Sequence, residues 1–491
     1  MSAYEKLEKL FKKKNALSGA SAVLGWDSAV MMPDGGAEVR AEQQATIGVI
    51  AHELITGAEI SDVLDTAEQE LSSLDEWQKA NLHEMRHEWQ HANAVDSDLV
   101  EAFSLATSNC EMKWRQAREE SNFGLLAPSL KEVVNLSQKI ATAKGEAFGV
   151  SPYDALLDQF EPGCNSEIID TLFADLEGFL PDFLQKVLEK QAADTSFEMP
   201  EGPFELKAQK ELGMSFMKAL TFDFERGRLD TSHHPFTGGV PDDVRLTTRY
   251  EENDFTQSLM GTLHETGHAL YEQNLPKKWR SQPIGNARGM ALHESQSLLV
   301  EMQLSRSPEF LIYALPKIRD AFNGEGDHWS FDNFKRLYHH VERGFIRVDA
   351  DEVTYPLHVI LRYRLEKAML SGDLVIDDLP ASWNDGMKEL LGITPPNDKL
   401  GCLQDIHWPG GAIGYFPTYT MGALAAAQFY KAAKEALPDL PEQIGKGDFK
   451  SLVGWLKKNV HELGSLKSTD TVLKDATGEA LQTTAFKDHL Q

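Results

Sequence analysis

The sequence predicts a mainly α-helical protein with one small β-sheet near its middle. Three observations lead there. Apolar residues recur at helical spacing over long stretches, short Pro, Gly or Asp punctuation separates those stretches, and alternating or β-branched runs are scarce. In order, helices are expected at 3–20, 36–72, 74–92, 96–121 and 127–147, with Met32-Pro33-Asp34-Gly35-Gly36 as the first break. Helix continues at 166–192, 204–224, 253–274, 290–305, 308–323, 331–344 and 355–371, then at 384–392, 420–436 and 447–464. Strand signal is confined to 222–228 and 244–250. With no internal repeat or low-complexity linker, one domain is expected over 1–491. Its subdomains are an N-terminal helical cap at roughly 1–150 and a helical body at roughly 151–491.

Composition narrows the function class. A chain of 491 residues that is 42% hydrophobic and 25% charged has the make-up of a globular protein with a large core. Its formal net charge of −28 argues against a nucleic-acid or anionic-membrane partner and favours solubility. Cys110, Cys164 and Cys402 lie far apart and outside any CxxC pattern, which suits a reducing cytoplasm rather than a disulfide framework. The first twenty residues read as a charged amphipathic helix, not a signal peptide. No stretch approaches the ~20 apolar residues of a membrane span.

Chemistry concentrates in His264-Glu265-Thr266-Gly267-His268, an HExxH on a helix that Asn253 or Asp254 can cap. Phe255, Leu259, Leu263 and Leu270 form its apolar stripe. Histidines at i and i+4 share one face, so both imidazoles can hold one zinc ion. Glu265 is placed to act as general base toward water at that ion. Two further HExxH strings, at 83–87 and 87–91, show that the pattern alone is not specific. Their polar, charged setting reads as a solvated helix face. At 264–268 the intervening residues are small and uncharged, which permits close packing beside an ion.

A third ligand must come from elsewhere. Tyr271 and Asn274 stand where a metzincin needs Gly and His, and Glu272 lies a turn too far along. Glu294, opening the next helix in His293-Glu294-Ser295-Gln296, can return antiparallel after Pro276, Gly285 and Gly289. It would leave a fourth position for water, as catalytic zinc requires. Glu301, two turns further on, is the competitor and reads as a supporting or surface carboxylate.

Several motifs in order then resemble the carboxypeptidase Taq family of zinc metallocarboxypeptidases. They are His234-Pro235-Phe236, Asp243-Val244-Arg245-Leu246-Thr247, the HExxH at 264–268, His293-Glu294-Ser295-Gln296, Ile346-Arg347-Val348-Asp349-Ala350-Asp351 and Gly401-Cys402-Leu403-Gln404-Asp405-Ile406-His407-Trp408. The resemblance extends over the whole chain, the Trp26-Asp27 region included. It implies a helical groove fold similar to that of neurolysin and angiotensin-converting enzyme, with the small sheet near the active site and the catalytic residues in the body at 151–491. It also implies a cytoplasmic homodimer that removes single residues from peptides with a free C-terminus, with broad specificity, and that accepts cobalt in place of zinc.

An exopeptidase needs a cation for the terminal carboxylate. Arg347 and Arg245 are the candidates, with Asp243, Asp349 and Asp351 as carboxylates that hold them. Gln404 is a candidate donor to peptide or carboxylate, and His234 orders its loop and influences substrate length. In zinc peptidases of this fold a histidine and a tyrosine from a Gly-rich loop donate to the oxyanion. That similarity implies His407 and Tyr419, with Tyr415 in reserve. Two rivals remain: an oligopeptidase on the same fold, which needs no terminal carboxylate, and a non-catalytic scaffold with structural zinc, in which Glu265 has no task.

Overall fold

The computed structural model describes residues 1–193 and 197–491. Among the described residues it is the expected helical protein with one small sheet, and the long helices fall where periodicity is strongest. Helix Ala3–Val30 starts on a capping box in which the Ser2 hydroxyl accepts the Glu5 N–H and the Glu5 carboxylate accepts the Ser2 N–H. Asp75 and Gln78 start Glu76–Asn93 in the same way. These two helices, with Ala37–Thr56 and Ile60–Gln69, bury Tyr4, Leu7, Phe11, Ile55, Leu64, Leu82 and Met85 in a small core of their own. A much larger core runs from Val95 to Phe486 and contains the apolar face of every helix that carries a candidate site residue.

Two expected helices are each divided. The stretch 36–72 breaks at Gly57, and 166–192 breaks at Gly178-Phe179. The chain also forms Pro152–Leu157, Leu440–Gly445, Thr469–Thr477 and Thr484–Leu490, which are too short for periodicity to register. Helix Phe331–Tyr338 stops six residues before the expected end at 344.

The sheet has three strands, β1 (Gly227–Thr231), β2 (Phe236–Val240) and β3 (Asp243–Thr248). Their order is β1-β3-β2, with β1 parallel and β2 antiparallel to the central β3. β3 lies within the expected 244–250 apart from its first residue. The other expected strand, 222–228, is corrected to 227–231. β2 gave no sequence signal because Gly238-Gly239 sits between Pro235 and Pro241, a composition tolerated only at a sheet edge. All three cysteines are free. Among the described residues no helix is long and apolar enough to cross a membrane.

Candidate metal centre

Helix Thr256–Asn274 carries the central HExxH. Its N-cap is Phe255 rather than Asn253 or Asp254, though Asp254 Oδ1 still accepts the first helical N–H, of Thr256, at 2.8 Å. Phe255, Leu259, Leu263 and Leu270 are all buried as the apolar stripe required. Helix Met290–Leu298 follows and runs on into a π-helical turn, Leu299–Leu304. Neighbours between the two helices pair in opposite order, His264 with Glu301 and His268 with Glu294, so they are antiparallel as expected.

Close packing around Glu294 is set by two glycines, Gly267 between these helices and Gly422 from a third. A Cβ on Gly267 would stand 2.3 Å from the Gln296 carbonyl oxygen and 2.5 Å from Ser297 Cα, both backbone atoms that cannot swing aside. A Cβ on Gly422, in helix Pro417–Ala436, would stand 2.6 Å from Glu294 Cβ. Gly267→Ala is therefore expected to cost about 1–3 kcal/mol or more by overpacking. It should also weaken metal binding, because the helix carrying both histidines must back away from Glu294. Thermal melts and chelator competition read the two effects separately.

His264, His268 and Glu294 each offer a ligand atom, all within 4.8 Å of one another. His268 Nε2 lies 3.5 Å from Glu294 Oε2. The remaining ring nitrogens fix both tautomers. His264 Nδ1 lies 2.8 Å from Glu301 Oε2, and a carboxylate only accepts, so Nδ1 carries a proton and Nε2 is the nitrogen left for an ion. Glu272 Oε1 lies 2.8 Å from His293 Nε2, which puts that ring's proton on Nε2 and leaves Nδ1 as an acceptor. His268 Nδ1, 2.6 Å away, must then be the donor, and its Nε2 lone pair also faces Glu294. Two imidazole Nε2 atoms and a carboxylate are a zinc donor set with supporting hydrogen bonds already made on the Nδ1 side of each ring. The residues therefore fit the ion. Sequence reasoning had Glu272 as too distant for a ligand, and its actual partner, His293, went unread. The signal was present in Glu272 standing four residues after His268, on the same helical face.

The electrostatics agree. Burial disfavours a charged His264. Its hydrogen bond to Glu301, with the charges of Glu294, Glu301 and Glu265, nevertheless raises its pKa to about 10 without an ion, so near pH 7 the metal-free ring also holds a proton on Nε2 that an entering cation displaces. Burial likewise disfavours the Glu301 carboxylate, but the His264 bond and the charges of His264 and Arg306 bring it down to about 2. So many carboxylates at one point make a locus of negative potential suited to a divalent cation.

Glu265 is buried beside this group, and its Oε2 accepts the Thr237 hydroxyl at 2.6 Å. Thr237 lies in β2, so the edge strand missed in the sequence is what fixes the carboxylate. His407 Nε2 lies 3.1 Å from the Tyr419 hydroxyl. Burial, foremost, lowers the His407 pKa to about 4, so the ring is neutral near pH 7. Tyr415 packs edge-on against Tyr419, with ring centroids 5.2 Å apart.

Arg347 is buried and pairs with Asp405 at 2.8 Å, not with Asp349 or Asp351 as expected. Asp351 instead accepts the Val353 and Thr354 N–H groups. The Arg347 guanidinium also lies 4.8 Å from the Tyr419 ring centroid. Gln404 spends its amide inside the protein. Its oxygen accepts from the Arg347 N–H at 2.9 Å and from Arg362 Nη2 at 2.7 Å, and its nitrogen donates to the Phe345 and Gly401 carbonyls. It positions Arg347. Arg245 is held by Asp243 through two hydrogen bonds and lies 4.5 Å over the Trp26 ring. His234 is exposed in the turn between β1 and β2, where its carbonyl accepts the Ser232 hydroxyl, in keeping with a loop role.

The other HExxH strings divide. The His83 side chain is 74% exposed, but Glu84 forms a largely buried ion pair with Arg288, Met85 lies in the core and the Arg86 side chain, paired with Asp65 and Glu68, is largely covered. The expectation of a solvated face is therefore corrected, and only His83 lies on one. His87 and His91 do not. Both turn inward onto Asp158 and are largely buried, because the 158–163 loop covers this face of the helix.

Comparison with known proteins agrees with this geometry. The description of the carboxypeptidase Taq (M32) metallopeptidases matches residues 6–491. Carboxypeptidase 1 of Bacillus subtilis is 36% identical over 483 residues, covering 98% of this chain and 96% of that protein. Thermostable carboxypeptidase 1 of Thermus thermophilus is 36% identical over 500 residues, covering 100% and 98%. Among solved structures, Trypanosoma cruzi metallocarboxypeptidase 1 superposes with a TM-score of 0.97 at 39% identity, covering 99% of this chain and 98% of that one. The protein is an enzyme of the metallocarboxypeptidase class. It belongs to the carboxypeptidase Taq (M32) family.

Proposed function

We propose that the enzyme is zinc-dependent, that His264, His268 and Glu294 hold the ion, and that it releases single residues from the free C-termini of peptides. The observation that carries this is the paired tautomer fixing, by Glu301 on one imidazole and by the Glu272–His293 relay on the other. It leaves two Nε2 atoms and one carboxylate gathered together for an ion. When bound, zinc lowers the pKa of water and polarises a carbonyl. Glu265, steadied by Thr237, takes the proton from the attacking water and returns it to the leaving amine. Tyr419 and His407 donate to the oxygen that gains charge, with Tyr415 packed behind them.

Arg347 is our candidate for the terminal carboxylate. It gives Nε and Nη2 to Asp405, which leaves Nη1 as the corner of the guanidinium for substrate. One residue spans about 3.8 Å between Cα atoms. A cation that sets the cut one residue from the end must therefore stand close to the oxyanion donors, and Arg347 lies against the Tyr419 ring. Arg245 and His234, nearer the sheet, are assigned to longer substrates.

The deciding experiment incubates an N-blocked tripeptide with the enzyme, with and without a chelator, and follows products by mass spectrometry. Loss of the last residue alone, abolished by chelation and restored by zinc or cobalt, is the expected result. Internal cleavage would point to an oligopeptidase. No cleavage after zinc or cobalt is restored would refute the assignment.

A further inference from the structure

We propose that His87, His91 and Asp158 form a second metal site, separate from the HExxH at 264–268, which takes a divalent transition-metal ion such as zinc in a structural role. The three residues offer ligand atoms that all lie within 4.8 Å of one another. His87 Nε2 and His91 Nε2 both point at one oxygen, Asp158 Oδ2, at 2.5 and 2.8 Å. The two histidines are i and i+4 on helix Glu76–Asn93, the spacing that lets neighbouring imidazoles share an ion.

Asp158 is not free to turn away, because its other oxygen accepts the Gly163 N–H at 2.8 Å. The Phe148 ring packs against both imidazoles, with centroids 4.5 and 6.5 Å away, and covers one side of the group. Donors at about 2.0–2.1 Å from a tetrahedral ion stand about 3.3 Å apart, so the two histidine–Asp158 contacts need to open by less than about 1 Å. Two imidazoles and a carboxylate leave a fourth position for water.

The site is not a second catalytic centre. Glu88, which occupies the general-base position of this HExxH, is held in an ion pair by Lys14 of helix Ala3–Val30. Its location gives the ion a structural task instead. The loop that presents Asp158 also presents the Phe160 carbonyl to the Met290 N–H at 2.7 Å and Glu161 Oε2 to the Ala291 N–H at 2.8 Å. These are the first amides of the helix that carries Glu294. An ion here would clip helix Glu76–Asn93 to the loop that starts the helix carrying Glu294.

Lys144 opposes a cation. Its Nζ lies 3.3 Å from His91 Nδ1 and 2.9 Å from Gln159 Oε1. Its N–H on Nδ1 keeps the His91 ring proton on Nε2 in the metal-free protein, and an entering ion must displace that proton. Removing the charge in Lys144→Met is expected to tighten the site by about tenfold or more.

The test strips the full-length enzyme of metal, dialyses it against excess zinc and counts ions by plasma mass spectrometry. Wild type should hold two per chain. His91→Ala should hold one and keep its peptidase activity, while His268→Ala should hold one and have none. One ion in wild type, or two in His91→Ala, overturns the proposal. Should His91→Ala fail to fold, zinc-dependent melting of His268→Ala reads the second site alone. A rise in melting temperature that disappears on adding His87→Gln supports the site, and a rise that survives it refutes it.

Discussion

Replacing Glu265 by glutamine should lower kcat/KM by about three orders of magnitude and leave metal content and melting temperature unchanged. The size follows from the role, since a positioned general base contributes about 10²–10⁴-fold. Glu265 is nearly fully buried, and one of its oxygens is taken by the Thr237 hydroxyl at 2.6 Å. Glutamine keeps the shape and a carbonyl oxygen for Thr237, but it cannot accept a proton from water. Neither His264, His268 nor Glu294 relies on Glu265 for a hydrogen bond, so the ion should stay. Activity within tenfold of wild type would move the base elsewhere. Loss of metal along with activity would instead make Glu265 part of the ligand framework. The same variant disposes of the scaffold reading, in which nothing depends on this carboxylate.

The fold class was legible because the helices on which the site is built are long and strongly periodic. Phe255, Leu259, Leu263 and Leu270 mark one face of a nineteen-residue helix, and the structure buries all four. The candidate metal group was legible because two of its donors share a face at helical spacing and the third opens the next helix. What escaped is long-range and polar. Asp405 lies 58 residues from Arg347, and no local pattern chooses it over Asp349 or Asp351. Gln404 reads as a substrate donor only until Arg362 and the Phe345 carbonyl occupy its amide. The edge strand β2 was hidden by its own glycines, yet it supplies Thr237. His87 and His91 looked solvated because Asp158, which turns them inward, is 67 residues from the nearer of them.

Arg347→Gln should lower kcat/KM for a peptide with a free C-terminus by about 100-fold or more, and should leave the same peptide amidated at its C-terminus almost unaffected. Removing one partner of a buried, hydrogen-bonded charge pair between protein and ligand costs about 2–5 kcal/mol. The amide carries no charge for Arg347 to lose. The structure makes the variant interpretable, because Asp405 keeps Arg362 as a partner at 2.6 Å and is not left as an orphaned buried carboxylate. Some stability is lost with the cation over the Phe416 and Tyr419 rings, and a thermal melt measures it. That loss cannot imitate the specificity effect, since acid and amide substrates meet the same folded fraction and their ratio cancels it. A wild-type enzyme that cleaves both substrates alike would favour an oligopeptidase. A variant that still prefers the free acid by the original factor would pass the role to Arg245. That residue is already held through both Asp243 oxygens and stacked on Trp26, so it would have to give up part of that arrangement to reach a substrate.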